Sequence, residues 1–185
     1  TMSATIIDGN TIAQQVRDEV RADVDRLHAS GIEPGLAVVL VGDNPASVSY
    51  VRGKARDATE VGMRSETIRI AADISQDALL GLVADLNADA RWHGIIVQLP
   101  LPAHIDEIAA TSAVAPEKDV DGLHPINVGR LFRGEPGFIS CTPHGVIQML
   151  LRSGHDPAGK HTVVCGRSKL VGKPLVGLLM QKRAG

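Results

Sequence analysis

A chain of 185 residues with 44% hydrophobic side chains is long enough for one or two domains with a substantial core. A formal net charge of -2 gives no basic footprint for nucleic acid, and aromatic residues at 2% give no stacking platform for single strands. No apolar run approaches bilayer-spanning length, and Thr1-Met2-Ser3-Ala4-Thr5 lacks the zones of a signal peptide, so a cytoplasmic protein without membrane partners is expected.

In chain order, Thr5–Ile7 is a short β-like run closed by Asp8-Gly9-Asn10 as turn and cap. Ile12, Val16, Val20, Val24 and Leu27 recur at helical spacing between Thr11 and Ser30, and Gly31 supplies the stop. Leu36–Val41 reads as a buried strand, followed by the turn Asp43–Ala46. Ser47 then caps a helix that reaches about Val61 and stops at Gly62. A β-like Ser65–Ile70 follows, then a helix from about Ser75 to Ala88 with Leu79, Leu82, Val83 and Leu86 on one side. Gly94–Gln98 is a third buried strand, and the prolines of Leu99-Pro100-Leu101-Pro102 end it. This alternation predicts an α/β fold with a mostly parallel sheet covered on both faces.

From His104 to Gly137 the pattern is less regular: a short helix at Ile105–Ala113, a polar loop at Pro116–Gly122, and a helical turn at Asn127–Phe132. Thr142 as cap and Pro143 as first residue open a helix reaching about Ser153, with Gly154 as its stop, expected to cross to a second domain. There a strand, His161–Cys165, enters a glycine-rich turn at Gly166, and a helix begins near Gly172-Lys173-Pro174 and runs to Gly185. The expected organisation is a catalytic α/β domain over 1–140. Residues 141–185 follow as a linker helix and the first strand–helix of a Rossmann-type domain, truncated at this length. Cys141 and Cys165 form no disulfide framework and no metal-ligand spacing, and both read as buried, inert thiols. The seven histidines show no clustering that would ligate a metal.

Four segments stand out for chemistry. Tyr50 and Lys54, four apart on the helix after the first buried strand, put a phenol and an amine on one face. Gln98 ends an apolar strand, Asp119-Val120-Asp121-Gly122 presents carboxylates in a loop, and Gly166–Pro174 is a glycine-rich turn before a helix. Taken singly, each also fits an ordinary role: a solvated helix face, a strand end, a plain turn, a loose glycine turn.

With flanking residues, and with Cys141–Gly145 added, they make five collinear segments. These are Val41-Gly-Asp-Asn-Pro-Ala-Ser-Val-Ser-Tyr-Val-Arg-Gly-Lys54, Gly94-Ile-Ile-Val-Gln-Leu-Pro-Leu-Pro102 and Pro116-Glu-Lys-Asp-Val-Asp-Gly-Leu-His-Pro125, then Cys141-Thr-Pro-His-Gly145 and Gly166-Arg-Ser-Lys-Leu-Val-Gly-Lys-Pro174. In order and spacing the chain resembles the bifunctional methylenetetrahydrofolate dehydrogenase/cyclohydrolase family across essentially its whole length. The resemblance implies NADP-linked oxidation of 5,10-methylenetetrahydrofolate to the methenyl form, then hydrolysis to 10-formyltetrahydrofolate. It makes Lys54 the proton-transfer residue, Gln98 its partner, Tyr50 the substrate-positioning ring and Asp121 the pterin-binding carboxylate, with Leu99 and Pro100 beside the substrate. It also places Gly166, Arg167, Ser168, Gly172 and Pro174 at the NADP, with Arg167 and Ser168 expected at the 2′-phosphate. A homodimer is implied where the full cofactor domain is present.

The chemistry is consistent with these roles. An amine relays a proton near neutrality only when desolvation or a neighbouring cation brings its pKa down from about 10.4. An amide partner orients the amine without adding charge, and a carboxylate matches the donor-rich edge of a pterin. Arg56, Ala58 and Ser140 depart from residues the family often carries, and none of these departures removes a proton-relay group. At this length the chain is expected to bind NADP poorly and to keep hydrolysis in part. A relative with one activity, and a non-catalytic folate-binding module, are the alternative readings.

Overall fold

In a computed structural model, residues 4–181 are described. The first helix, α1 (Gly9–Ala29), leads to β1 (Gly35–Val41), α2 (Pro45–Glu60), β2 (Arg64–Ile70), α3 (Gln76–Ala88) and β3 (Gly94–Val97). Then come α4 (Glu107–Ser112), α5 (Pro125–Arg133), α6 (Cys141–Arg152) and α7 (Gly172–Leu179). The sheet is three-stranded and parallel in the order β2-β1-β3, so β1 is central. Its alternation divides the core. Ala37, Val39 and Val41 face Leu79, Val83 and Leu86 of α3, whereas Val38 and Leu40 face Val51 of α2. Both faces are covered, as the strand–helix alternation predicts.

The chain leaves β1 toward β2 on one side and returns to pair β3 on the other. The carboxyl ends of β1 and β3 therefore flank a topological switch point, where α/β sheets place ligands. Beyond the sheet a smaller core joins Leu131 of α5, Ile147 of α6 and Leu178 of α7. A forked ion pair, Arg152 Nη1 and Nη2 to the two Glu19 carboxylate oxygens at 2.7 Å each, ties α6 to α1.

Several local expectations change. Residues 4–8 carry no strand, since Thr5–Ile7 has no neighbour to pair with, and Asp8 caps α1 by accepting from Asn10 and Thr11 N–H. Asn44, not Ser47, caps α2, with Pro45 at the first helical position. Ser47 lies a turn inside, buried, its hydroxyl without a partner among the described residues. Helix α6 begins at Cys141 after Ser140, ahead of the expected Thr142–Pro143 start, and the Ser140 hydroxyl is turned away to donate to the Leu170 carbonyl at 2.8 Å. Residues His161–Cys165 are not a strand and pair with none of the described strands. Helix α7 ends at Leu179, and Gly185 lies outside the described residues.

The loop after α4 is anchored from below. Lys118 Nζ donates to the carbonyls of Asn87 at 2.8 Å and Asp89 at 2.9 Å, with Leu86 further off at 3.4 Å, placing a cation on the C-terminal carbonyls of α3. Its own carbonyl accepts from Ile95 N–H of β3 at 2.7 Å. Lys118→Met strands those carbonyls and is expected to lower stability by about 1–3 kcal/mol in urea unfolding; an unchanged midpoint would show that the cap contributes nothing.

Candidate active site

Three side chains converge at the switch point, each delivered by a different element. Gln98 follows β3, and its backbone N–H donates to the Val39 carbonyl at 2.9 Å, so the strand end is fixed to β1. Its side-chain Nε2 donates to the Leu99 carbonyl at 2.8 Å, which turns Oε1 outward to accept from Lys54 Nζ at 3.2 Å. The amide orientation thus follows from its own neighbour. Lys54 comes from the third turn of α2, and the Asp121 carboxylate stands 3.8 Å from its Nζ. One third of the Lys54 side chain and a quarter of the Asp121 side chain remain exposed, 33% and 25%. The amine is therefore half-buried, reachable by a small molecule, and held between a neutral acceptor and an anion.

Burial pushes the Asp121 carboxyl above its ordinary 3.8; Lys54 pulls the other way, and Asp119 adds to the rise. A carboxyl raised in the folded state contributes stability below pH 3.8 and loses it as pH climbs through the folded value. Asp121→Asn removes that pH-dependent decline. The melting temperature of the variant, relative to the parent, is expected to rise as pH goes from acid to neutral; a constant offset across that range would contradict it.

Tyr50 sits one turn before Lys54, but its ring is 68% exposed and its hydroxyl has no hydrogen bond among the described residues. It forms an open wall, not a buried partner of the amine. Leu99 is half-buried against the main core, and Pro100, after a cis Leu99–Pro100 peptide, is exposed.

Asp119 and Asn127 are central to this loop, yet from sequence Asp119 was only a member of the carboxylate-bearing segment and Asn127 only the start of a helical turn. Both are buried, at 3% and 1% exposure. Asp119 Oδ2 accepts from His124 N–H at 2.8 Å and Asn127 Nδ2 at 2.9 Å, and Oδ1 accepts from Leu123 N–H at 3.2 Å. Gly122 follows with φ +64, and a Cβ there would stand 2.7 Å from backbone atoms of Ile139 and Ser140, so only glycine fits.

Cys141 departs from the expected inert buried thiol: the residue is exposed, as is Cys165. Its Sγ nevertheless turns in toward the Val120 carbonyl at 3.8 Å; burial of the sulfur, followed by nearby Asp121, pushes the thiol up, against the pull of Lys54.

The glycine-rich turn is a separate feature. Gly166, Arg167, Ser168, Val171 and Gly172 line a cleft of roughly 440 Å³ with apolar Val146 and Leu175, while Pro174 is buried in the first turn of α7. A Cβ on Gly172 would stand 2.4 Å from the Gly166 carbonyl oxygen, so the turn and the helix start meet backbone to backbone. The Ser168 hydroxyl accepts from Val171 N–H at 3.0 Å and Gly172 N–H at 3.3 Å, and its carbonyl accepts from Lys173 N–H at 3.1 Å. Those amides, at a helix start where an anion is ordinarily held, are taken by Ser168. What remains outward is the Ser168 hydroxyl proton and the exposed Arg167, whose guanidinium has no partner among the described residues.

An amine, an amide and a carboxylate gathered at the carboxyl ends of parallel strands define a small-molecule site of the α/β class. The family model described as the catalytic domain of tetrahydrofolate dehydrogenase/cyclohydrolase matches residues 7–121, and the model of its NAD(P)-binding domain matches 140–185. The chain belongs to the tetrahydrofolate dehydrogenase/cyclohydrolase family. It is 54% identical to the bifunctional protein FolD of Geobacillus thermodenitrificans over 183 residues, 99% of this chain and 64% of that protein. Its fold superposes on the bifunctional FolD enzyme of Campylobacter jejuni with TM-score 0.94 at 42% identity, covering 96% of this chain and 64% of the other. The Trypanosoma brucei dehydrogenase-cyclohydrolase, solved with NADP cofactor and inhibitor, gives TM-score 0.91 at 38% identity over 97% of this chain and 62% of that one. The chain thus spans just under two thirds of the length of these relatives.

Proposed function

We propose that this chain carries the folate site of a methylenetetrahydrofolate dehydrogenase and methenyltetrahydrofolate cyclohydrolase, and that Lys54 is its proton-transfer residue. The single observation that carries the reading is the Lys54 amine, half-buried between Gln98 Oε1 and the Asp121 carboxylate at the switch point. Asp121 suits the paired N–H groups of a pterin edge, Tyr50 offers an open ring to pack on it, and Leu99 and Pro100 border the same space.

Hydrolysis adds water to the cationic methenyl carbon and breaks one carbon–nitrogen bond, so both water protons leave: one reaches the departing ring nitrogen and one is released as the substrate loses its positive charge. Lys54 moves them. Gln98, locked by its bond to the Leu99 carbonyl, holds the amine in register, and the entering substrate cation competes with the ammonium for Asp121.

NADP fits the second feature in part. Arg167 and the Ser168 hydroxyl are the groups that would meet the 2′-phosphate, and Gly166, Gly172 and Pro174 shape the close backbone approach. When bound, NADP supplies the hydride acceptor for the oxidation. We place the boundary between a catalytic domain over 1–140 and the dinucleotide-binding part from 141, within a cytoplasmic homodimer.

Titration with a non-hydrolysable methenyl-folate analogue tests the reading. Saturable binding that Asp121→Ala reduces at least tenfold is expected; binding indifferent to Asp121 would contradict it.

A further inference from the structure

Asp119 does more than turn the chain. It opens the loop that carries Asp121, pairs with Ile95 of β3 in a parallel bridge, and sends its carboxylate inward while Asp121 points to the amine. Three donors clamp it: Leu123 N–H, His124 N–H and Asn127 Nδ2. Asn127 is itself held, donating to the Pro116 carbonyl at 2.9 Å and accepting from Arg130 Nη1 at 3.4 Å. The clamp spans both sides of Asp121, so the reach of that residue toward Lys54 is set by a buried anion two positions away. No cation pairs with Asp119 among the described residues. The donors that face it are neutral N–H groups, and Asp119 adds to the upward push that burial gives the Asp121 carboxyl.

We propose that Asp119, held by Asn127, is a positioning residue for the folate site: it fixes where Asp121 stands and sets a second, buried carboxylate behind it. The inference rests on the folate reading only for what Asp121 binds. The ionisable groups that reach Asp121 are Lys54 from α2, Asp119 from its own loop and Cys141 at the head of α6. Burial is the main cause that holds Asp121 toward its protonated form; Lys54 acts against it, and Asp119 adds to the rise.

The test is a carbon NMR titration of the Asp121 carboxyl, assigned with Asp121→Asn, in the parent chain, Asp119→Asn and Asn127→Ser. Alongside it runs the pH profile of methenyl-analogue affinity. Asp119→Asn is expected to move the Asp121 titration, and the acid limb of binding, to lower pH. Asn127→Ser keeps the charge and loses one donor; it is expected to displace the Asp121 resonance at neutral pH and to weaken the analogue at every pH without that downward move. A titration unmoved by Asp119→Asn overturns the proposal, even if stability and affinity fall, because a merely structural role produces only those losses. Should Asp119→Asn not fold, an Asn127→Ser chain with unchanged resonance and affinity overturns it instead. Failure of the parent chain to bind the analogue refutes the folate reading, and the titration still decides the role of Asp119.

Discussion

Lys54→Met is expected to lower hydrolysis of methenyltetrahydrofolate by roughly 10²- to 10⁴-fold, the range that a positioned proton-transfer group contributes. Methionine keeps the apolar stem and ends one atom short of the amine, so the packing of α2 on β1 survives. What disappears is the donor on Gln98 Oε1 and the cation beside Asp121. The second loss matters for interpretation. With the ammonium gone, Asp121 keeps its burial and its repulsion from Asp119, so its carboxyl rises further in the variant. Affinity for the methenyl analogue should therefore be measured on the alkaline side, where Asp121 is ionised. There it is expected to stay within a few-fold of the parent. Hydrolysis that survives Lys54→Met would remove the lysine from the mechanism, and lost affinity at all pH values would make it a binding residue.

Gly122→Ala is the structural counterpart and is expected to destabilise the chain by about 2–4 kcal/mol, a fall in melting temperature on the order of 5–15 °C. Two costs combine. The backbone at Gly122 has φ +64, which a side chain adopts only under strain, and the new Cβ would meet Ile139 and Ser140 backbone atoms at 2.7 Å. Backbone cannot rotate aside as a flexible side chain does. Relief requires the loop to lift from the segment leading into α6, and Asp121 lifts with it. Analogue affinity should fall with stability, unlike Gly134→Ala, where φ is +70 but nothing stands within 4 Å of the new atom. Equal losses at the two glycines would show that backbone strain alone, not the close approach, governs the site.

The architecture was legible because periodicity and punctuation agree. Apolar runs at 36–41 and 94–97 are buried strands, and helical spacing of Leu79, Val83 and Leu86 marks the face that covers them. Cap residues were harder to read. Asn44 and Ser47 are both acceptable caps, and the chain uses Asn44 because Pro45 occupies the first helical position. Ser140 shows the reverse case: a serine at a helix start whose hydroxyl serves another segment. The putting of a strand at His161–Cys165 failed for a different reason: a strand needs a partner, and sequence reports propensity only.

The site divides in the same way. Lys54, Gln98 and Asp121 meet as the five-segment resemblance implies, although 44 residues separate Lys54 from Gln98. Asp121 was read as the pterin's partner within reach of Lys54, and its carboxylate stands 3.8 Å from the amine. Asp119 and Asn127 were given no role because burial of a carboxylate is a tertiary fact, visible only once its three donors are in place. Spacing held no usable hint. Asp119 and Asp121 are two apart and would share a face in an extended stretch; they diverge because the chain turns here, Gly122 N–H donating to the Asp119 carbonyl at 3.1 Å.

The most direct measurement is a crystal structure of the chain with a non-hydrolysable methenyl-folate analogue. The pterin N–H edge is expected on the Asp121 carboxylate, and the methenyl carbon within about 3–3.5 Å of Lys54 Nζ or of one water bridging to it. An analogue seated away from both groups, with the amine still bound only to Gln98 and Asp121, would contradict the assignment of this cluster as the place where protons move.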